Sequence, residues 1–179
     1  MRAKRYLKDY KLEPRLNEKG GLSHKASYVG AYHRFSLDRA SLTRLKRSYL
    51  LLTLLSLLLL VPQLWFTDLL NRDRRFLILP MSFNVFPAFG VVMSVLRLHM
   101  VGERMTNRQR DLICNRLPMF SFLFFFFAVL SFLCMLAELS LGGLSTVSLL
   151  YSVAALALLL VSFRMFTLRK KITTELITD

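Results

Sequence analysis

The chain has 179 residues, 54% of them hydrophobic, and a formal net charge of +14. Its mean hydropathy of +0.44 is too high for a water-soluble domain of this length, so soluble enzyme and binding-module classes are excluded at the outset. The charge does not point to nucleic acid either, because the early basic residues at 2, 4, 5, 8, 11, 15 and 19 are interleaved with Asp9, Glu13 and Glu18 and match no recognition module.

Residues 1–47 form a basic segment containing Pro14, the Gly20-Gly21 pair and Gly30, with no sustained apolar period. This composition predicts a segment that is mobile or only locally helical, with Tyr28, Tyr32 and Phe35 on an amphipathic stub at the membrane interface. From Ser36, read as a helix cap, Leu37, Ala40 and Leu45 lead into the first apolar run as one continuous helix. Arg39, Arg44, Lys46 and Arg47 lie just before that run and are the candidate contacts to anionic lipid headgroups.

Four uncharged runs follow, at residues 48–67, 76–96, 117–137 and 139–163, which are 20, 21, 21 and 25 residues long. At about 1.5 Å per residue each reaches about 30 Å, the thickness of a hydrocarbon core. A buried helix of a soluble protein would carry charge on its wet face, and none of these runs does. The first run follows a 47-residue charged lead and is longer than a signal core, so it reads as a retained span. Tyr49 and Trp65, about 24 Å apart along it, would each mark an interface.

The second run places Pro80, Asn84, Pro87, Gly90 and Ser94 within an arc of roughly 120°. Proline frees a backbone carbonyl and Asn84 needs a hydrogen-bond partner in an apolar medium, so this face should turn inward. Asn84, Pro80, Pro87 and Ser94 form the candidate intramembrane polar site, either bonding a neighbouring helix or coordinating a polar solute or ion.

In the connection at 97–116, Thr106-Asn107-Arg108-Gln109 fits a capping box that would start an interfacial helix before Pro118. Arg104, Arg108, Arg110 and Arg116 would then face phosphates, with Leu112 and Ile113 at the acyl boundary. The third run carries Phe120, Phe122 and Phe124 to Phe127 on all sides, which suits lipid or an extended apolar interface. Glu138 at its end would be solvated among outer headgroups, and Leu139 to Gly143 would form a tight turn. The fourth span, about 141–163, carries Ser145, Ser148, Ser152 and Ala155, continued by Ser162, as a candidate helix-packing face whose partner lies within the chain or on another subunit. Residues 164–179 form a basic tail.

Lys and Arg number 13, 5 and 4 in the first, third and fifth non-span segments, 22 on one side, against 3 in residues 68–75 on the other. The positive-inside rule then places both termini in the cytoplasm of a multi-pass cell-membrane protein. The expected fold class is therefore all-α, a polytopic membrane protein with four transmembrane helices in a bundle and a basic cytoplasmic N-terminal segment.

No cofactor, metal or catalytic motif is expected. His24, His33 and His99 lack second ligands at one-turn spacing, and Cys114 and Cys134, about 30 Å apart along one helix, cannot pair with each other. The expected partners are the lipid bilayer and other membrane helices, in a homo-oligomer or a hetero-complex. The leading functional reading is a non-enzymatic, helix-associating subunit, assembly or regulatory component of a membrane complex. A small-solute or ion transporter or channel acting as an oligomer is the second. A membrane-embedded lipid-acting enzyme using the His99 and Glu103 group is the third.

Overall fold

The computed structural model describes residues 7–16, 22–66, 82–102, 104–142 and 146–177. The chain is mostly helical. Its long helices are α1 (Arg39–Phe66), α2 (Val85–Met100), α3 (Arg116–Gly142) and α4 (Thr146–Leu168). Around the bundle α1 packs on α2 and α4, and α3 packs on the same two helices, so each helix touches its chain neighbours and the ring closes between α1 and α4.

The buried positions show how each helix is aligned. In α1 they are Leu45, Tyr49, Thr53, Ser56 and Leu60, and in α3 they are Leu117, Ser121, Phe124, Ala128, Ser131 and Met135. These steps of three and four residues make one narrow seam per helix. Outside the seam, Leu51, Leu54, Leu58, Phe86, Phe89, Leu150 and Leu160 are all more than half exposed. Hydroxyls and an amide thus lie inside while leucine and phenylalanine lie outside, the reverse of a bundle that water stabilises. Two helices, Asn107–Ala137 and Leu149–Lys171, are long and apolar enough to cross a membrane, and only 28% and 33% of their most apolar stretches are buried.

Five short strands accompany the helices, so the molecule is not all-α. β1 (Tyr10–Leu16) and β2 (Leu22–Tyr28) form an antiparallel hairpin pairing Tyr10 with Tyr28. β3 (Tyr32–Phe35) lies between β4 (Met105–Thr106) and β5 (Thr174–Leu176), antiparallel to both. In β3, His33 and Phe35 turn inward and Tyr32 and Arg34 outward, the two-residue period of a strand. Tyr28 and Tyr32 therefore belong to strands and not to an interfacial helical stub. Phe35 joins Met105, Leu168 and Ile172 in the main buried cluster, which closes one end of the bundle.

Several boundaries also differ from expectation. Asp38, not Ser36, caps α1, its carboxylate accepting from the Ser41 amide at 3.2 Å, and these bonds hold its pKa below the ordinary value. α2 runs to Met100, four residues past the apolar run, and residues 76–81 lie outside the described residues. The Thr106–Gln109 capping box forms, with the Gln109 side chain accepting from the Thr106 amide at 2.9 Å. The helix it starts does not stop before Pro118. It continues through a π-helical turn, Asp111–Asn115, into α3. Pro118 has no amide to offer the Cys114 carbonyl, and widening the preceding turn accommodates that loss. α3 reaches Gly142 and α4 begins at Thr146, so the connection is shorter and later than the expected Leu139–Gly143 turn.

Candidate functional site

Asn84 caps the start of α2 in a helical conformation and is fully buried. Its Nδ2 donates to Ser131 Oγ of α3 at 2.8 Å, and that hydroxyl donates in turn to the Phe127 carbonyl at 2.9 Å. Asn84 Oδ1 is buried with no hydrogen-bond partner among the described residues. Pro87 sits in the first turn of α2, where helix amides lack intrahelical acceptors anyway, so it costs the helix little. Gly90 is buried beneath Phe120, whose ring would lie 2.4 Å from an added Cβ, and Ser94 returns its hydroxyl to the Gly90 carbonyl at 2.7 Å. Asn84, Pro87, Gly90 and Ser94 therefore share the inward face of α2, while Phe83, Phe86 and Phe89 are exposed. Pro80 lies outside the described residues.

The small-residue strip of α4 is also turned inward. Ala155 and Ser162 are buried and Ser152 is half-buried, which sets the partner of these residues inside the chain. Ser145 and the side chain of Ser148 lie outside what the structure describes. Tyr49, expected at an interface, is instead fully buried and donates to the Met165 carbonyl of α4 at 3.1 Å. Thr53 and Ser56 satisfy their hydroxyls on the α1 backbone, at 2.7 and 2.8 Å.

At the strand-bearing end a second polar cluster forms. The Asp9 carboxylate accepts from Asn107 Nδ2 at 3.1 Å, which turns Asn107 Oδ1 toward His33 Nε2 at 2.7 Å. His33 must then donate from Nε2, because the oxygen facing it only accepts. Tyr28 Oη accepts from the Asn107 amide at 3.0 Å and donates to the Ala31 carbonyl at 2.8 Å. Burial, with the Asp9 carboxylate adding to it, holds the Tyr28 phenol above its ordinary pKa. The cluster ties the β1–β2 hairpin to the start of the Asn107 helix.

The four basic residues before the first run divide. Lys46 donates to the Val101 carbonyl at 2.8 Å, placing a cation at the C-terminal end of α2, and partial burial lowers its pKa. It is an internal cap and not a lipid contact. Arg39, Arg44 and Arg47 are exposed on α1. Of the expected phosphate-facing set, Arg104, Arg108 and Arg110 are exposed and Arg116 is half-exposed, with Arg110 donating to Thr174 Oγ1 at 3.3 Å. Ile113, expected at the acyl boundary, is fully buried.

The chain matches no protein-family model, no curated protein and no solved structure. Its chemistry is therefore read from the residues alone. Among the described residues no group of three or more His, Cys, Asp or Glu is placed to hold a metal ion. His99 lies on α2, its Nδ1 3.0 Å from the Val95 carbonyl of its own helix, and Glu103 lies outside the described residues.

Ser131, Asn107 and His33 had no place in the sequence reading. Ser131 is a single hydroxyl in a phenylalanine-rich run, and its distance of 47 residues from Asn84 hides the pairing. The signal available was the amide itself, which requires some partner in an apolar setting.

Proposed function

We propose that this is a four-span integral membrane protein acting as a non-enzymatic, helix-associating component of a membrane assembly, with both termini cytoplasmic. The membrane reading is supported by the inverted partition of side chains, with Asn84, Ser94, Ser121, Ser131 and Ser162 inside and the leucine and phenylalanine faces outside. The even number of crossings is supported by β3 pairing with both β4 and β5. Backbone hydrogen bonds cannot cross a bilayer, so residues 32–35, 105–106 and 174–176 must share one side. The chain then returns to that side after α1 and α2, and again after α3 and α4. The cation distribution makes that side the cytoplasm.

The observation that carries the non-enzymatic reading is where the buried polar groups point. Asn84 meets Ser131 and Tyr49 meets the Met165 carbonyl across packed helices, while Thr53, Ser56 and Ser94 bond their own backbones. These contacts hold helices together. The outward faces, including Phe83, Phe86 and Phe89 of α2, are what remains for neighbouring helices. Blue-native electrophoresis after extraction in mild detergent is expected to show a species larger than the 20.8 kDa chain in its micelle, and a lone monomer would overturn the assembly reading.

A second reading, an oligomeric transporter or channel, is favoured by one observation, the buried Asn84 Oδ1 that has no partner among the described residues. Flux through reconstituted liposomes that disappears in Asn84→Ala would favour it, and flux indifferent to that change would remove it.

A further inference from the structure

α1 changes from charged to uncharged sequence at Ser48, and an open groove of about 650 Å³ lies across that boundary. Arg39, Thr43, Arg44, Arg47, Ser48 and Leu51 line it. Thr43 gives its hydroxyl to the Arg39 carbonyl at 2.9 Å and so forms wall. The one ion pair defined among the described residues joins Arg34 to Glu175 at 3.6 Å and involves neither Arg44 nor Arg47. Asp38, the nearest carboxylate in sequence, is held at the α1 cap by Ser41. Two exposed guanidinium groups one turn apart therefore stand over a hydroxyl with no acid set against them.

Below the groove the same strip turns apolar. Leu51, Leu55 and Leu58 follow Arg44, Arg47 and Ser48 at steps of three and four, and they are 66%, 43% and 69% exposed. At 100° per residue all six fall within an arc of roughly 100°. A guanidinium fork matches phosphate oxygens, and a leucine row matches an acyl chain. Free phosphate would use only the first of these.

We propose that this strip is a binding site for one acidic glycerophospholipid, its phosphate on Arg44 and Arg47 and an acyl chain along Leu51, Leu55 and Leu58. The proposal rests on the membrane reading of α1. Depth supplies an internal control. The bond from Tyr49 to the Met165 carbonyl sets Arg44 and Arg47 level with the turn Arg169–Lys171 of the antiparallel neighbour. There Arg169 lies over the Phe166 ring at 3.8 Å, and Lys170 and Lys171 are exposed cations at the same level but off the groove.

The test is native mass spectrometry of the full chain in mild detergent, titrated with phosphatidylglycerol or phosphatidylcholine. Arg44→Gln with Arg47→Gln is expected to weaken phosphatidylglycerol retention roughly tenfold or more, from about 1 kcal/mol per cation, and to leave phosphatidylcholine unchanged. Lys170→Gln with Lys171→Gln removes the same charge and is expected to change retention by less than about threefold, since distant charges are screened. Equal loss from both pairs would overturn the site in favour of general surface charge. Full displacement by inorganic phosphate would overturn the lipid assignment. Alkaline carbonate extraction of the expressing membranes separates the two levels of the argument. Wild-type protein released by carbonate defeats the membrane reading itself, whereas protein kept in the pellet with no effect of the arginine pair defeats only the site.

Discussion

Asn84 and Ser131, 47 residues apart, meet at 2.8 Å across α2 and α3, and the serine hydroxyl hands the bond on to the Phe127 carbonyl of its own helix. Because both side chains are buried, neither has water as an alternative partner. Ser131→Ala is expected to lower stability in detergent by about 1–2 kcal/mol, and Asn84→Ala by a similar amount. The double variant should cost less than the sum of the two. Thermal unfolding of the four proteins measures this coupling, and strictly additive losses would show that the contact carries no energy of its own.

Gly90 faces Phe120 so closely that a Cβ would stand 2.4 to 2.6 Å from three ring carbons. Gly90→Ala is expected to cost about 1–3 kcal/mol by overpacking. Adding Phe120→Ala should recover part of that loss, and the recovery is the informative readout. If Gly90→Ala alone leaves the melting temperature unchanged, α2 and α3 do not approach this closely.

β3 and β5 set Arg34 opposite Glu175. Antiparallel partners have Cα atoms about 5.5 Å apart or closer, within reach of a disulfide. With Cys114 and Cys134 replaced by Ser, the pair Arg34→Cys and Glu175→Cys should cross-link under mild oxidation in intact membranes, giving a reducible gel shift. Opening of the link by reductant confirms its nature. Failure to cross-link would separate the N-terminal segment from the tail and remove the argument for a shared side.

Cys114 stands beside the clasp, its thiol 4.0 Å from Thr174 Oγ1, and burial raises its pKa above the ordinary thiol value. A raised pKa leaves less thiolate at neutral pH, so alkylation should be slow there and accelerate only at pH above that of a free thiol. Removing residues 172–179 should increase the rate at fixed pH by uncovering the sulfur. Reaction as fast as that of a small free thiol, with and without the tail, would contradict the packing of β5 over Cys114.

Lys46 holds the Val101 carbonyl at the end of α2. Its folded pKa is lowered by burial, so the unfolded chain binds the proton more strongly. Stability conferred by this residue should rise with pH through the alkaline window just below the ordinary lysine pKa of 10.5. Comparing wild type with Lys46→Met across that window is expected to show the gap moving in favour of wild type as pH increases. The opposite slope would mean the charged form is favoured by folding.

The sequence by itself determined the features governed by neighbours in the chain. The uncharged runs that became long helices, the Thr106–Gln109 capping box and the shared arc of Asn84, Pro87, Gly90 and Ser94 all follow from helix geometry, where bonds close within four residues and faces repeat every three or four. Only the tertiary structure decided the rest. β4 has two residues and β5 three, too short to show alternation, and both find their hydrogen bonds on β3 some 70 and 140 residues away in sequence. The same distance hides why Tyr49 bonds Met165 instead of marking an interface, why Lys46 serves α2, and why Ile113 is interior. In each case a polar or apolar group goes where its partner is, and the partner's place is fixed by the packing of the whole bundle, not by the local chain.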